Sequence, residues 1–234
     1  MVTGTPHRVR KIQSKSTSLG GSVIPLSKSV KYLGVHLDQT LCLENHISAV
    51  CRSAYFSLRQ IATIRPYLSE ASTARLVCAT VTSKLDYCNS VLVGLPADQI
   101  YRLQRVQNDS ARLICKKRKR DHITPILIQL HWLPIQQRID FKLASLAFRG
   151  FNDSLPKYLT DKLKKYEPAR DLRSASENLF DPPRVSLKTF GERSFHFAAP
   201  KIWNSLPQNL RDISSLPLFK AKLFFSASLR LKMI

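Results

Sequence analysis

The residues able to do chemistry in this chain are thinly spread, and their spacing limits what they can do. Nucleotidyl transfer needs carboxylates close enough together to hold two metal ions. No two acidic residues are adjacent here and no Asp-x-Asp occurs; Asp38, Asp86, Asp109, Asp121 and Asp140 each stand alone. Isolated carboxylates of this kind read as helix caps and surface counter-charges. Gly20-Gly21 is the one glycine pair, and no G-x-G-x-x-G, P-loop or G-x-S-x-G motif is present to cradle a phosphate or expose a nucleophile. Cys42 and His46 lie four apart, a spacing that can hold a metal on one helix face, but no second matched pair follows. His122, His131 and His196 stand singly beside a charge run, a tryptophan and two phenylalanines, where packing or hydrogen bonding is their expected role. Trp132 and Trp203 could stack on a base for ~1–3 kcal/mol each. Their leucine and proline neighbours favour anchoring in a core instead. The expectation is a chain with no catalytic residue, no metal site and no cofactor.

The cations are more informative. Lys plus Arg number 37 against 16 Asp plus Glu, a formal net charge of +21. Such an excess repels itself unless a polyanion offsets it, and nucleic acid is the commonest polyanion. Arg8, Arg10, Lys11, Lys15, Lys28 and Lys31 all precede the first acid, Asp38. Arg102, Arg105 and Arg112 share the polar face of a helix, and Lys116, Lys117, Arg118, Lys119 and Arg120 follow it as an uninterrupted run. Five like charges cannot pack together, so that run belongs in a solvated loop or helix end.

The elements that must position these cations can be read from periodicity. Seven glycines in 234 residues and 44% apolar content lean toward a helical chain with a real core. Ser22–Ser27 and Ser29–Leu37 read as two short strands of one hairpin turning at Ser27-Lys28, with the alternation broken at Gly34. Leu43, Ile47, Val50, Ala54, Leu58 and Ile61 then recur at steps of three and four, predicting a helix that ends before Pro66. Ser69 caps a second helix to about Ser83, and Leu85–Val93 reads as a short third. Ala97–Ile114 is amphipathic, with Ile100, Leu103, Val106 or Gln107, Ala111 and Ile114 inward. Thr124 is expected to cap a short helix, and Leu130–Pro134 to turn. Ile135–Phe151 is a long helix with Ile139, Leu143 and Leu146 inward. An irregular, proline-bearing stretch runs from about Glu167 to Gly191, before helices over Arg193–Leu206 and Leu218–Leu231.

Five cysteines, an odd count without C-x-x-C, argue against a disulfide framework or zinc ribbon. No apolar h-region follows Met1 and no apolar run approaches the ~20 residues of a membrane span. A nuclear or cytoplasmic protein, not secreted and without a membrane partner, is expected.

The order of the motifs narrows the reading. Lys31-Tyr-Leu-Gly-Val-His-Leu-Asp38 is followed by Glu44-Asn-His-Ile-Ser48, Ser83-Lys-Leu-Asp-Tyr-Cys-Asn89 and Leu103-Gln-Arg-Val-Gln-Asn108. His122-Ile-Thr-Pro125, Leu130-His-Trp-Leu-Pro134, Arg138-Ile-Asp-Phe-Lys142, Leu172-Arg-Ser174, Ala199-Pro-Lys-Ile-Trp-Asn204 and Phe219-Lys220 complete the series. As an ordered set over about residues 20–225, it resembles the C-terminal part of the reverse transcriptase of LINE-type (non-LTR) retrotransposons.

That resemblance implies a mainly α chain in three parts. Residues 1–40 would be a palm-end β-hairpin that grips the primer, 41–121 a thumb-like helical bundle, and 122–234 a helical C-terminal extension with an irregular proline-containing segment. The family's aromatic-x-Asp-Asp motif and its endonuclease would precede Met1. No Cys/His zinc knuckle closes the extension. Asn108-Asp-Ser-Ala-Arg112 is polar where the family usually has alanines, as in a decayed or partial element copy. The implied function is a non-catalytic fragment holding RNA or an RNA–DNA template–primer duplex by its backbone, through Lys31, Arg102, Arg105, Arg112 and Lys116 to Arg120. The missing palm and fingers would be a further partner. Two alternatives stand beside it: a nuclear interaction protein whose Lys116-Lys-Arg-Lys119 is read by an import receptor, or a translated remnant without function.

Overall fold

Two-residue turns organise the N-terminus. Gly20 and Gly21 (φ 57° and 81°) and Leu33 and Gly34 (φ 44° and 81°) all adopt left-handed backbone, as tight hairpin loops require. The computed structural model describes residues 1–12, 16–168, 177–187 and 190–232, the last four by backbone alone. In it α1 (Pro6–Arg10) precedes two separate antiparallel hairpins, β1 (Ser16–Leu19) with β2 (Ser22–Pro25) and β3 (Ser29–Tyr32) with β4 (Val35–Asp38). The single hairpin expected across Ser27-Lys28 is therefore replaced by two. The alternation breaks at Gly34 because the chain turns there, setting Tyr32 opposite Val35 and Lys31 opposite His36. Gly20-Gly21 turns the earlier pair in the same way.

Asp38 ends the strands. Its Oδ1 accepts from the Thr40 amide at 3.0 Å, the Thr40 hydroxyl at 2.8 Å and the Cys42 amide at 3.0 Å, and its Oδ2 from the Leu43 amide at 2.7 Å. Partial burial works to raise this carboxyl, but the hydrogen bonds from Thr40, Cys42 and Leu43 outweigh it and hold the group below its ordinary value. They also steady Leu41 and Leu43 at positive φ, just before α2 (Glu44–Ile64).

A 3-10 turn (Arg65–Tyr67) leads to α3 (Glu70–Val77), capped by the Ser69 hydroxyl on the Ser72 amide at 3.1 Å. A π turn (Cys78–Thr82) joins α3 to α4 (Ser83–Asp86). The third helix expected over Leu85–Val93 is broken by left-handed Cys88 (φ 51°), leaving a 3-10 turn over Asn89–Leu92. Then follow α5 (Ala97–Ile114), α6 (Ile123–Gln129) and α7 (Ile135–Phe151). Thr124 lies inside α6 and does not cap it; His122 holds the cap position without a side-chain bond. Short α8 (Lys157–Thr160) precedes α9 (Phe195–Asn204), α10 (Gln208–Arg211) and α11 (Leu216–Lys232). The described part of the proline-bearing stretch, including Asp181–Arg184, is irregular, and Leu172–Ser174 lies outside the described residues. The chain is mainly helical, and no helix among the described residues is long and apolar enough to cross a membrane.

Two buried clusters hold the helices. In the first, Ile47, Ala54, Leu58 and Ile61 of α2 meet Ile100, Leu103, Val106, Ala111 and Ile114 of α5, and Trp132, Ile135, Ile139 and Leu143 extend it. In the second, Phe148 packs on Phe219 with ring centroids 4.6 Å apart, and Trp203 lies 5.9 Å from both Phe180 and Phe219. Trp203 Nε1 donates to the Asn178 carbonyl at 2.7 Å. The Asn204 amide brackets the Phe180 backbone, accepting at 3.0 Å and donating at 2.8 Å. Both tryptophans are core anchors. α7 serves both clusters, and Leu146 is half-buried while Ala144, Ala147 and Phe148 take the inner positions.

Arg193 ties the tail to the start of the bundle. It donates from Nε to the Val93 carbonyl at 3.0 Å and from Nη1 to the Leu41 carbonyl at 2.7 Å. Gly94 has φ 65°, and a Cβ there would meet Arg193 Cγ at 2.7 Å. Arg193→Ala should cost roughly 2–4 kcal/mol in urea unfolding, from two charged hydrogen bonds. Gly94→Ala should destabilise the parent chain strongly and the Arg193→Ala chain by only about 1–2 kcal/mol, the left-handed backbone term. Equal costs in both backgrounds would disprove the close approach of the two residues.

Candidate nucleic-acid interface

α5 presents two faces because its sequence runs at two offsets. The apolar set buries against α2; Val106 and Gln107 are both buried, so both readings of that position hold. Gln107 Nε2 donates to the Leu133 carbonyl at 2.8 Å, and Gln104 Oε1 accepts from the Ile135 amide at 2.8 Å. The helix is thereby locked to the Leu130–Pro134 turn and the first residue of α7. Its outer stripe is Tyr101, Arg105, Asn108 and Arg112, at steps of four, three and four.

Arg65 decides where α5 stops. It is buried, and its guanidinium donates to the carbonyls of Leu113 at 2.9 Å, Leu68 at 2.7 Å and Ile114 at 2.7 Å. A cation on the last carbonyls also suits the negative end of the helix dipole. Lys116 then takes the left-handed conformation (φ 50°), and the Lys117 amide bonds back to the Arg112 carbonyl at 3.0 Å. The run Lys116 to Arg120 leaves the helix as a fully exposed loop. It is closed by Asp121, whose Oδ2 accepts from the Arg118 amide at 2.7 Å.

The helix stripe and the loop enclose an open groove of about 700 Å³. Arg105, Arg112, Lys116, Lys117 and Lys119 line it, with Arg65 at its base. Arg118 and Arg120 are exposed on the same loop but do not line it. The groove's carboxylate, Asp109, accepts from the Tyr55 hydroxyl at 2.8 Å and lies 3.6 Å from Arg112 Nη1. Burial first, then the Asp109 hydrogen bond and charge, push Tyr55 up to about 12, so it remains a donor. Arg112 Nη2 reaches the Asp121 carbonyl at 3.4 Å, and its Nε has no protein acceptor.

Two expected contact residues lie elsewhere. Arg102 turns toward α2 and donates to Ser48 Oγ at 2.8 Å, a bridge between helices. Lys31 borders a separate concavity of about 430 Å³ with His36, His46, Lys84 and Tyr87. Sequence reasoning passed over Arg65, Tyr101 and Asn108. The last two were available from the spacing that relates Arg105 to Arg112. Arg65 carried no signal, because the two partners that place it at the end of α5 lie 48 and 49 residues away. Cys42 precedes α2, so it shares no helix face with His46. Among the described residues no three potential ligands come together around a metal position.

No family model matches the chain, and no curated protein or solved structure matches it either.

Arg65→Lys keeps the charge but loses the planar fork. It should cost about 2–3 kcal/mol and speed amide exchange at the end of α5 and in the 116–120 loop; protection equal to the parent would show that the clamp does not set the loop. His46 is 5% exposed and its Nδ1 has no partner; burial first, then the charge of His36, hold it below its ordinary value. The unfolded chain therefore takes up this proton first. Stability should fall as pH drops below about 6.5 toward the depressed folded value. Above that window His46 contributes no slope. His46→Asn should remove this part of the slope of unfolding free energy against pH.

Proposed function

We propose that this chain is a non-catalytic, nucleic-acid-binding fragment of the LINE-type reverse transcriptase kind, holding RNA or an RNA–DNA hybrid by its phosphates. The observation that carries this reading is the groove between α5 and the 116–120 loop. Five cations meet around one open concavity, and the carboxylate lining it, Asp109, is tied up by Tyr55 and Arg112. Lysines and arginines on a rigid helix and an adjoining loop neutralise backbone phosphates without reading bases. Tyr101, 61% exposed at the groove's rim, offers a ring to a sugar or an unstacked base.

The non-catalytic half of the proposal rests on the carboxylates. Asp38 holds backbone amides, Asp86 pairs with Arg138, Asp109 holds Tyr55, Asp121 closes the basic loop, and Asp140 accepts from Gln136. Each is engaged in holding the fold. In the polar Asn108–Arg112 stretch, Ser110 Oγ donates to the Val106 carbonyl at 2.7 Å, and Gln104 Nε2 donates to Asn108 Oδ1 at 2.8 Å.

The test is salt-dependent binding to an RNA–DNA hybrid, with Lys116 to Arg120 all changed to alanine. Each phosphate left without its cation should flatten the slope of log K against log salt by ~0.7–0.9. The five-alanine chain should therefore bind weaker and show a slope smaller by roughly 2–4. Weakening should be uniform across sequences. A slope unchanged from the parent, in a chain with the parent's circular dichroism, would remove the groove from the interface.

A further inference from the structure

The β3–β4 hairpin sets two basic side chains against each other. Lys31 and His36 are directly opposed across the strands, so both stand on one face of the hairpin. That face meets α2, where the ring of His46 lies 6.4 Å from that of His36, centroid to centroid. Lys84 of α4 joins them, and the four line one open cavity of about 430 Å³. No carboxylate lines it.

The charges around this cavity are unmatched. Lys31 is exposed and has no hydrogen bond or ion pair among the described residues. Lys84 Nζ donates to the Ser53 carbonyl at 3.2 Å and to Ser57 Oγ at 2.8 Å. Both acceptors are neutral, so the ammonium keeps its full charge and one N–H to give. His36 is half-buried in the wall, and His46 is buried behind it. Burial first, then the charge of His36, hold His46 below its ordinary value. A lysine opposed to a histidine, with a second histidine behind, disfavours each added proton, and an anion among them reverses that.

We propose that this cavity binds a phosphomonoester, the terminal phosphate of a small molecule or of a strand end, in preference to an internal phosphodiester. A phosphomonoester carries about −1.5 to −2 charge near pH 7 and three strong acceptor oxygens. Lys31, Lys84 and His36 are three cationic donors for those oxygens, and the Ser53 hydroxyl on the same wall is a fourth donor. A phosphodiester brings one charge only, so it gains less from a cluster in which each added proton is disfavoured. His46 takes its proton once the anion has offset the charge of His36. The cavity shares no residue with the groove between α5 and the 116–120 loop, so the proposal does not rest on that groove.

The experiment is calorimetric titration of the full chain at low salt with three probes: 5′-phosphorylated dithymidine, the same dinucleotide ending in a 5′-hydroxyl, and ribose 5-phosphate. The hydroxyl-ended probe carries the internal phosphodiester alone. The phosphorylated dinucleotide should bind at least about tenfold more tightly than it does. The five-alanine loop chain should show the same preference, which separates this cavity from the groove. Lys31→Ala, at an exposed position, should reduce the preference about three- to fivefold with unchanged circular dichroism. The preference should widen as pH falls from roughly 8 to roughly 6.5, where histidines gain protons and a phosphomonoester keeps most of its second charge. His36→Gln should abolish that widening. Ribose 5-phosphate binding as tightly as the phosphorylated dinucleotide assigns a free phosphomonoester, and weaker binding assigns a strand end. No preference for the phosphorylated end, a preference flat in pH, or one that Lys31→Ala and His36→Gln both leave intact overturns the proposal.

Discussion

Arg65 carries a constraint on which the cationic side of this protein depends. A chain of net charge +21 must place like charges close together without unfolding locally. Arg65 solves part of this by being buried against carbonyls rather than against carboxylates. Three backbone oxygens of the 3-10 turn and the end of α5 take its donors. One cation thereby satisfies helix-end acceptors, joins the end of α2 to the end of α5, and fixes the direction in which the five-charge run leaves. The run itself stays in water, where its mutual repulsion is screened.

The rest of the fold depends on similar long-range polar pins laid over apolar packing. Asp38 gathers three backbone amides and a hydroxyl to convert strand into helix. Arg193 then reaches the Leu41 carbonyl, 152 residues away in sequence, from the other side of the same bend. Gln104 and Gln107 perform the equivalent service between α5 and the start of α7. These groups look functional in a sequence because they are polar, specific and clustered in motifs. In the structure they hold backbone, and the cations left for the groove are those on and after the outer face of α5.

Apolar periodicity made most of the helices legible. α2, α5 and α7 were readable because each buries one stripe, and a 3.6-residue repeat is local information. The exposed 116–120 loop was readable because five like charges exclude a packed conformation wherever they occur. The hairpins were misread because pairing is chosen by the turn, and the Leu33-Gly34 turn lay inside what looked like one strand. Leu33 and Cys88 adopt left-handed backbone without being glycine, which composition does not announce.

The sequence by itself determined that the chain is mainly helical, that it has a core, and that a run of five cations follows one amphipathic helix. Each of these follows from residue type and spacing along a single element. Only the tertiary structure decided which cations share a surface. Arg105 and Arg112 face the groove, Arg102 bridges to Ser48, Lys31 lies at another concavity, and Arg65 supports the groove from beneath. Charge is a property of a residue, but an interface is a property of distances, and those are fixed by packing between elements far apart in the chain.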